Sequence, residues 1–119
     1  MKTPLRNGDI VLVSFPFTDL SGSKLRPAVI ISENSVHRET SDYTLLFLSS
    51  VIVEPLSNYE LKFPEEHPDF RISGLKKTSV FKTNKIATIQ EHLIKRKLGA
   101  LGNEIRKELA EVFGKTIRV

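Results

Sequence analysis

The chain has 119 residues, of which 39% are hydrophobic and 8% aromatic, proportions that suit one soluble globular domain over residues 1–119. It has no cysteine, which excludes disulfides, thiolate catalysis and cysteine-bound zinc. The net charge of +4 is uneven, with +2 on residues 1–38, −6 on 39–70 and +8 on 71–119; the basic last segment suits an anionic partner such as RNA or DNA, or else is a solvated helical surface.

The opening stretch MKTPLRNGD has no apolar signal-peptide core, and no apolar run reaches the length of a membrane span. A cytoplasmic location without membrane contact is therefore expected. Ile10–Phe15 is almost continuously apolar, the pattern of a strand covered on both sides or curled into a barrel. A polar loop with Pro16, Asp19, Ser21, Gly22 and Ser23 follows and has turn chemistry. It ends in Arg26-Pro27, ahead of a second apolar run, Ala28–Ile31. Pro27 can start a strand because the first residue need not donate to the ladder. It also biases Arg26 to extended backbone, which sets a cation at the mouth of the loop.

Glu33–Asp42 reads as a polar loop with room for a helical turn. Tyr43–Ser50 is a third strand, and Val51–Glu54 extends it as far as Pro55. Tyr59, Leu61 and Phe63 alternate with Glu60 and Lys62, as in a half-buried strand. Pro64–Gly74 reads as a loop, and Ser79–Phe81 and Lys85–Ile89 as two further short strands. His92–Leu98 is expected to be a short helix closed by Gly99 or Gly102. Asn103 is placed to cap the last helix, whose apolar face is Ile105, Leu109, Val112 and Phe113 and whose stop is Gly114. Short strands followed by a terminal helix predict a barrel-like antiparallel sheet covered by that helix.

No P-loop, paired metal-ligand spacing or nucleophile elbow is present. The acidic run Glu65-Glu66-His67-Pro68-Asp69 holds metal-ligand residue types without orderly spacing, and reads as a solvated loop. His37, His67 and His92 lie in polar segments without visible partners, so each is expected at the surface. A pair of them would suit general acid–base work on RNA. Phe15, Phe17 and Tyr43 are aromatic groups near the loop that can stack on bases, with Phe15 expected in the core and Phe17 exposed.

Gly8-Asp9-Ile10-Val11, the Ser/Gly loop and Arg26-Pro27-Ala28-Val29-Ile30-Ile31-Ser32 together resemble the opening of the MazF/PemK toxins. Leu45–Ser50 is similar to that family's strand ending in Ile-Thr or Leu-Thr. Gly74-Leu75 and Ile86-Ala87-Thr88-Ile89 resemble its late Gly-Leu and Ile-x-Thr-Ile sequence. With Leu98-Gly99-Ala100-Leu101, the match runs from about Asn7 to Phe113, nearly one domain's length. The resemblance implies a mainly β fold with a C-terminal helix, a small SH3-like antiparallel β-barrel of the MazF/PemK/CcdB type. It also implies a homodimer, a cognate antitoxin chain, and cleavage of single-stranded RNA without metal or other cofactor, leaving a 2′,3′-cyclic phosphate and a 5′-hydroxyl.

In the site so implied, Arg26 offers planar, bidentate donors to the phosphorane and Ser49 stands where the family has Thr. Read by itself, Ser49 is a strand-end hydroxyl satisfying backbone. Phe17, Ser21, Lys24, Lys85 and Thr88 are the expected RNA-binding residues. Two departures stand out. The loop Ser21-Gly22-Ser23-Lys24 lacks the family's frequent Glu, and Ala87 replaces an Arg, with Lys85 the nearest cation. The alternative from another class is a non-enzymatic toxin of the same fold that binds nucleic acid or gyrase. The resemblance does not specify the RNA sequence preferred.

Overall fold

The computed structural model describes residues 4–15 and 24–119. Six strands form one antiparallel sheet in the order β4-β5-β3-β2-β1-β6. They are β1 (Asp9–Phe15), β2 (Lys24–Ile30), β3 (Asp42–Ser49), β4 (Glu60–Phe63), β5 (Ser79–Gln90) and β6 (Ile94–Ala100). Three α-helices, α1 (Asn34–Thr40), α2 (Phe70–Ser73) and α3 (Asn103–Thr116), accompany the strands among the described residues. The expected mainly β architecture with a C-terminal helix is what forms. The sheet does not close on itself, and β4 and β6 are its two edges. Among the described residues no helix is long and apolar enough to cross a membrane.

The continuous apolar runs have a simple cause: both faces of the sheet are covered. One face carries Ile10, Val29, Leu46, Leu48, Phe63 and Phe81, packed with Phe70 of α2 and Ile105 and Leu109 of α3. The other carries Val11, Val13, Ala28, Ile30, Tyr43, Leu45, Phe47 and Ile89. Leu45 to Leu48 are therefore all buried, two on each side. β3 lies between β2 and β5 with both faces covered.

Several local expectations are corrected. His92–Leu98 is not a helix: a 3₁₀ turn, Glu91–Leu93, leads into β6, which pairs with β1. Lys95, Arg96 and Lys97 are exposed there because β6 is an edge strand, where charge is tolerated on both sides. The two short late strands are one, β5, interrupted by a bulge. Leu46 pairs with Ile86 and Phe47 with Lys82, so Thr83, Asn84 and Lys85 have no partners on β3. The buried Thr83 hydroxyl bonds to the Tyr59 carbonyl and to Thr116 of α3, both at 2.5 Å. Val51–Glu54 does not extend β3, and Pro64–Gly74 contains α2, while α1 forms in Glu33–Asp42 where a helical turn had room.

The last helix begins and ends differently too. Its N-cap is Gly102, not Asn103, and Gly102 has no side chain to cap with. The cap comes from the acidic loop, where Asp69 Oδ2 accepts the Ile105 N–H at 2.8 Å. A Cβ at Gly102 would overlap the Asp69 carboxylate, so glycine is required for this approach. Gly114 does not stop the helix, which runs to Thr116.

Candidate functional site

β2 and β3 pair at Ala28–Phe47, Val29–Leu46 and Ile30–Leu45, and there the ladder stops, one residue short of Pro27. Carried two residues further, the same register sets Arg26 opposite Ser49. Alternation puts both on the face that holds Ala28 and Phe47. That extrapolated register would bring together two residues 23 positions apart, at the end of a buried face. Arg26 is exposed, and among the described residues no carboxylate pairs with it. Ser49 Oγ accepts the Val51 N–H at 3.1 Å and sits 3.5 Å from the Val51 carbonyl. The first bond holds the oxygen. The second is at the outer limit of hydrogen bonding, so the hydroxyl proton can be redirected to an incoming oxygen.

The other expected contacts are not all gathered there. Lys85 is exposed in the β5 bulge, beside the rows of Leu46 and Phe47. Thr88 is opposite Thr44, with their hydroxyls 2.8 Å apart, so it lies on the other face and away from Ser49. Ala87 is opposite Leu45 and packs against the core on the Arg26 face, with no cation in its place. Of Lys24 the structure describes the backbone, which opens β2, and Phe17 and Ser21 lie outside the described residues.

Two histidines expected at the surface are not there. His37 is 7% exposed, its Nε2 is 2.5 Å from Ser32 Oγ, and its ring is 4.2 Å from that of the buried Tyr43. Burial pulls the His37 pKa below its ordinary value, against an opposing contact with the Ser32 backbone. Tyr43 is in the core and is no base-stacking platform; burial and its hydrogen bond to Glu91 push its pKa up to about 12. His67 accepts the Asp69 N–H at Nδ1 and contacts Glu108 of α3 through Nε2 at 2.7 Å. Neither burial has a local sequence signal, because the partners are distant in the chain or lie on the opposite side of a short helix. His92 is exposed, as expected. Among the described residues no three His, Cys, Asp or Glu side chains group as metal ligands.

The sequence model of the PemK-like, MazF-like toxins of type II toxin–antitoxin systems matches residues 6–117. The chain superimposes on MazF (form I) from Deinococcus radiodurans with a TM-score of 0.72 and 14% identity, over 97% of each chain. It superimposes on an endoribonuclease in complex with its cognate antitoxin, from a mycobacterial species, with a TM-score of 0.71 and 17% identity. That match covers 95% of this chain and 93% of the other. For the Mycobacterium tuberculosis toxin MazF-mt6 the TM-score is 0.70 and the identity 20%, over 90% and 93%. No curated protein sequence matches.

Proposed function

This chain belongs to the PemK-like, MazF-like toxin family, and from that premise we propose that it is a metal-independent endoribonuclease acting on single-stranded RNA. What supports the reading is the β2–β3 register, which, carried two residues past its last pair, Ala28–Phe47, would set Arg26 opposite Ser49, with no carboxylate among the described residues paired to the guanidinium. In the reaction the 2′-oxygen of the RNA bonds to the adjacent phosphorus and loses its proton to a base. The bond from phosphorus to the 5′-oxygen breaks, and that oxygen takes up a proton. The products are a 2′,3′-cyclic phosphate and a 5′-hydroxyl. The phosphorane between them carries an extra negative charge. Arg26 meets that charge with two parallel donors, and Ser49 turns its hydroxyl from Val51 to a phosphate oxygen. The cation supplies the charge that a metal would otherwise bring.

Around this centre we place the remaining RNA contacts on the loop, with Phe17, Ser21 and Lys24, and on Lys85. A cognate antitoxin, acidic and disordered when free, would fold over the same surface and block it. We expect a twofold homodimer. With β3 and most of the apolar face of α3 buried in the protomer, the exposed Leu25, Val51 and Val53 beside the site are among the apolar groups left for it. Ala87, in place of a second Arg, favours the alternative, a toxin of this fold that binds without cutting.

The test is cleavage of a long RNA in EDTA, then single-turnover cleavage by the parent and by Arg26→Ala, with circular dichroism to confirm folding. The parent should cut and leave cyclic-phosphate ends. The variant should be about a hundredfold slower or worse, the scale for losing one preorganised donor. Arg26→Lys should recover part of the rate, since it keeps the charge and loses the planar fork. A folded Arg26→Ala that cuts as fast as the parent places the site elsewhere. A parent that cuts no RNA leaves the binding reading.

A further inference from the structure

The face that carries Arg26 and Ser49 at one end has a cleft at the other. It measures about 740 Å³, within the usual range for small-molecule sites. The segment around Leu5, helix α1, Tyr43 of β3 and the start of β6 wall it. Tyr43 and Ser49 are six residues apart on β3, so the cleft and the Arg26 site are about 20 Å apart at the usual strand rise.

The charge of the cleft is one-sided. Arg6, Arg38, Lys95, Arg96 and Lys97 line it against a single acid, Glu91. Lys97 is answered by Asp9 at 3.3 Å. The other four cations close no ion pair among the described residues. Arg38 also feels the Glu33 carboxylate, and the lining still carries more positive than negative charge, a setting that suits an anion.

The wall is not only basic. The Tyr43 and His37 rings, Leu5 and Ile94 form its apolar side. Glu91 Oε1 accepts the Tyr43 hydroxyl at 3.1 Å, and the exposed carboxylate has a second oxygen to offer. His37 Nδ1 is buried and without a partner. Ser32 Oγ accepts the Thr44 N–H at 3.0 Å, which frees its own proton for His37 Nε2.

We propose that this cleft binds a nucleotide, with the phosphate on Arg38 and Lys95 at the rim and the base against Leu5 and Ile94, which cover the buried Tyr43 and His37 rings. The carboxylate of Glu91 selects for the base. Amino and imino N–H groups of a base can donate to it, whereas the carboxylates of an acidic peptide would meet a like charge. The nucleotide can be free or part of an RNA strand that reaches on to Arg26. Only the second source rests on the ribonuclease reading.

The full chain is titrated with AMP, GMP, CMP and UMP, with inorganic phosphate, with a short 2′-deoxy oligonucleotide that cannot be cleaved by transesterification, and with an oligoglutamate. Binding is followed by the amide resonances of Tyr43, His37 and Ile94. At least one mononucleotide should saturate, and phosphate should bind at least about tenfold more weakly for want of a base. Arg38→Glu and Lys95→Glu, both at exposed positions, should each weaken the mononucleotide about tenfold, the scale of one charged hydrogen bond lost. Glu91→Gln should change the order of preference among the four bases.

If Arg38→Glu also weakens the oligonucleotide, the cleft serves a strand; if only mononucleotides respond, it serves a free nucleotide. Arg26→Ala should leave mononucleotide binding unchanged, so loss of cleavage with binding retained bears on the ribonuclease reading alone. The proposal is overturned if no mononucleotide saturates, if phosphate binds as well as any nucleotide, if both rim variants bind like the parent, or if oligoglutamate displaces the nucleotide.

Discussion

Replacing Asp69 tests whether the acidic loop holds the last helix in place. Its Oδ2 receives the Ile105 N–H at 2.8 Å, at the start of a helix whose own N-cap, Gly102, offers no side chain. The loop is held for this purpose, because the Asp69 N–H donates to His67 Nδ1 at 3.0 Å and His67 contacts Glu108 one turn further along the helix. Losing a capping side chain costs about 1 kcal/mol. Losing a carboxylate beside the positive end of a helix costs up to about 1 kcal/mol more. Asp69→Ala should therefore destabilise the fold by about 2 kcal/mol. For a chain of 119 residues that lowers the melting temperature by about 8 °C. Asp69→Asn keeps an acceptor and loses only the charge, so it should fall by about 3 °C. The assay is thermal unfolding followed by circular dichroism at neutral pH. An Asp69→Ala protein that melts with the parent would refute the capping, and an Asn variant as damaged as Ala would refute the division between bond and charge.

Two further outcomes follow from the site and from the sheet edge. Ser49→Ala should slow cleavage by less than Arg26→Ala, and Ser49→Thr should be close to the parent in single-turnover assays, because threonine keeps the hydroxyl. A rate for Ser49→Ala as low as for Arg26→Ala would make the serine more than an orienting group. Glu60 is held below its ordinary pKa of 4.5, first by the hydrogen bond from Lys82 and then by the Ser57 N–H. The folded protein thus binds this proton less readily than the unfolded chain. The stabilisation is present in full above about pH 4.5 and is lost as pH falls through the lower folded value. The melting temperatures of the parent and Glu60→Gln should therefore differ at neutral pH and converge in acid; a gap that stays constant as pH falls would contradict this.

What was legible in the sequence is what depends on neighbours. Ile10–Phe15 and Leu45–Leu48 announce strands covered on both faces, and Ile105 and Leu109 announce the buried side of α3. Lys95-Arg96-Lys97 misled because an edge strand and a solvated helix tolerate the same run of charge. Asp69 and His67 read as solvated because the helix they serve lies more than thirty residues later. Arg26 and Ser49 were linked by likeness to a family; nothing in their spacing says they face each other. The pairing of Ala28 with Phe47, extended two residues beyond the ladder, is what points to it. The bulge at Thr83–Lys85 was hidden because its partners are the Tyr59 carbonyl and Thr116, not a neighbour in β5.

The exposed cations of β6 bear on how the protein behaves in a crowd of its own copies. An open sheet edge is a template on which any extended segment can add a strand. Two copies meeting edge to edge along Lys95–Lys97 would bring six cations together, and that repulsion opposes the ribbon-like stacking by which open sheets precipitate. The same three side chains that made the segment hard to recognise as a strand thus protect its edge against its own kind, most effectively at low salt, where screening is weakest.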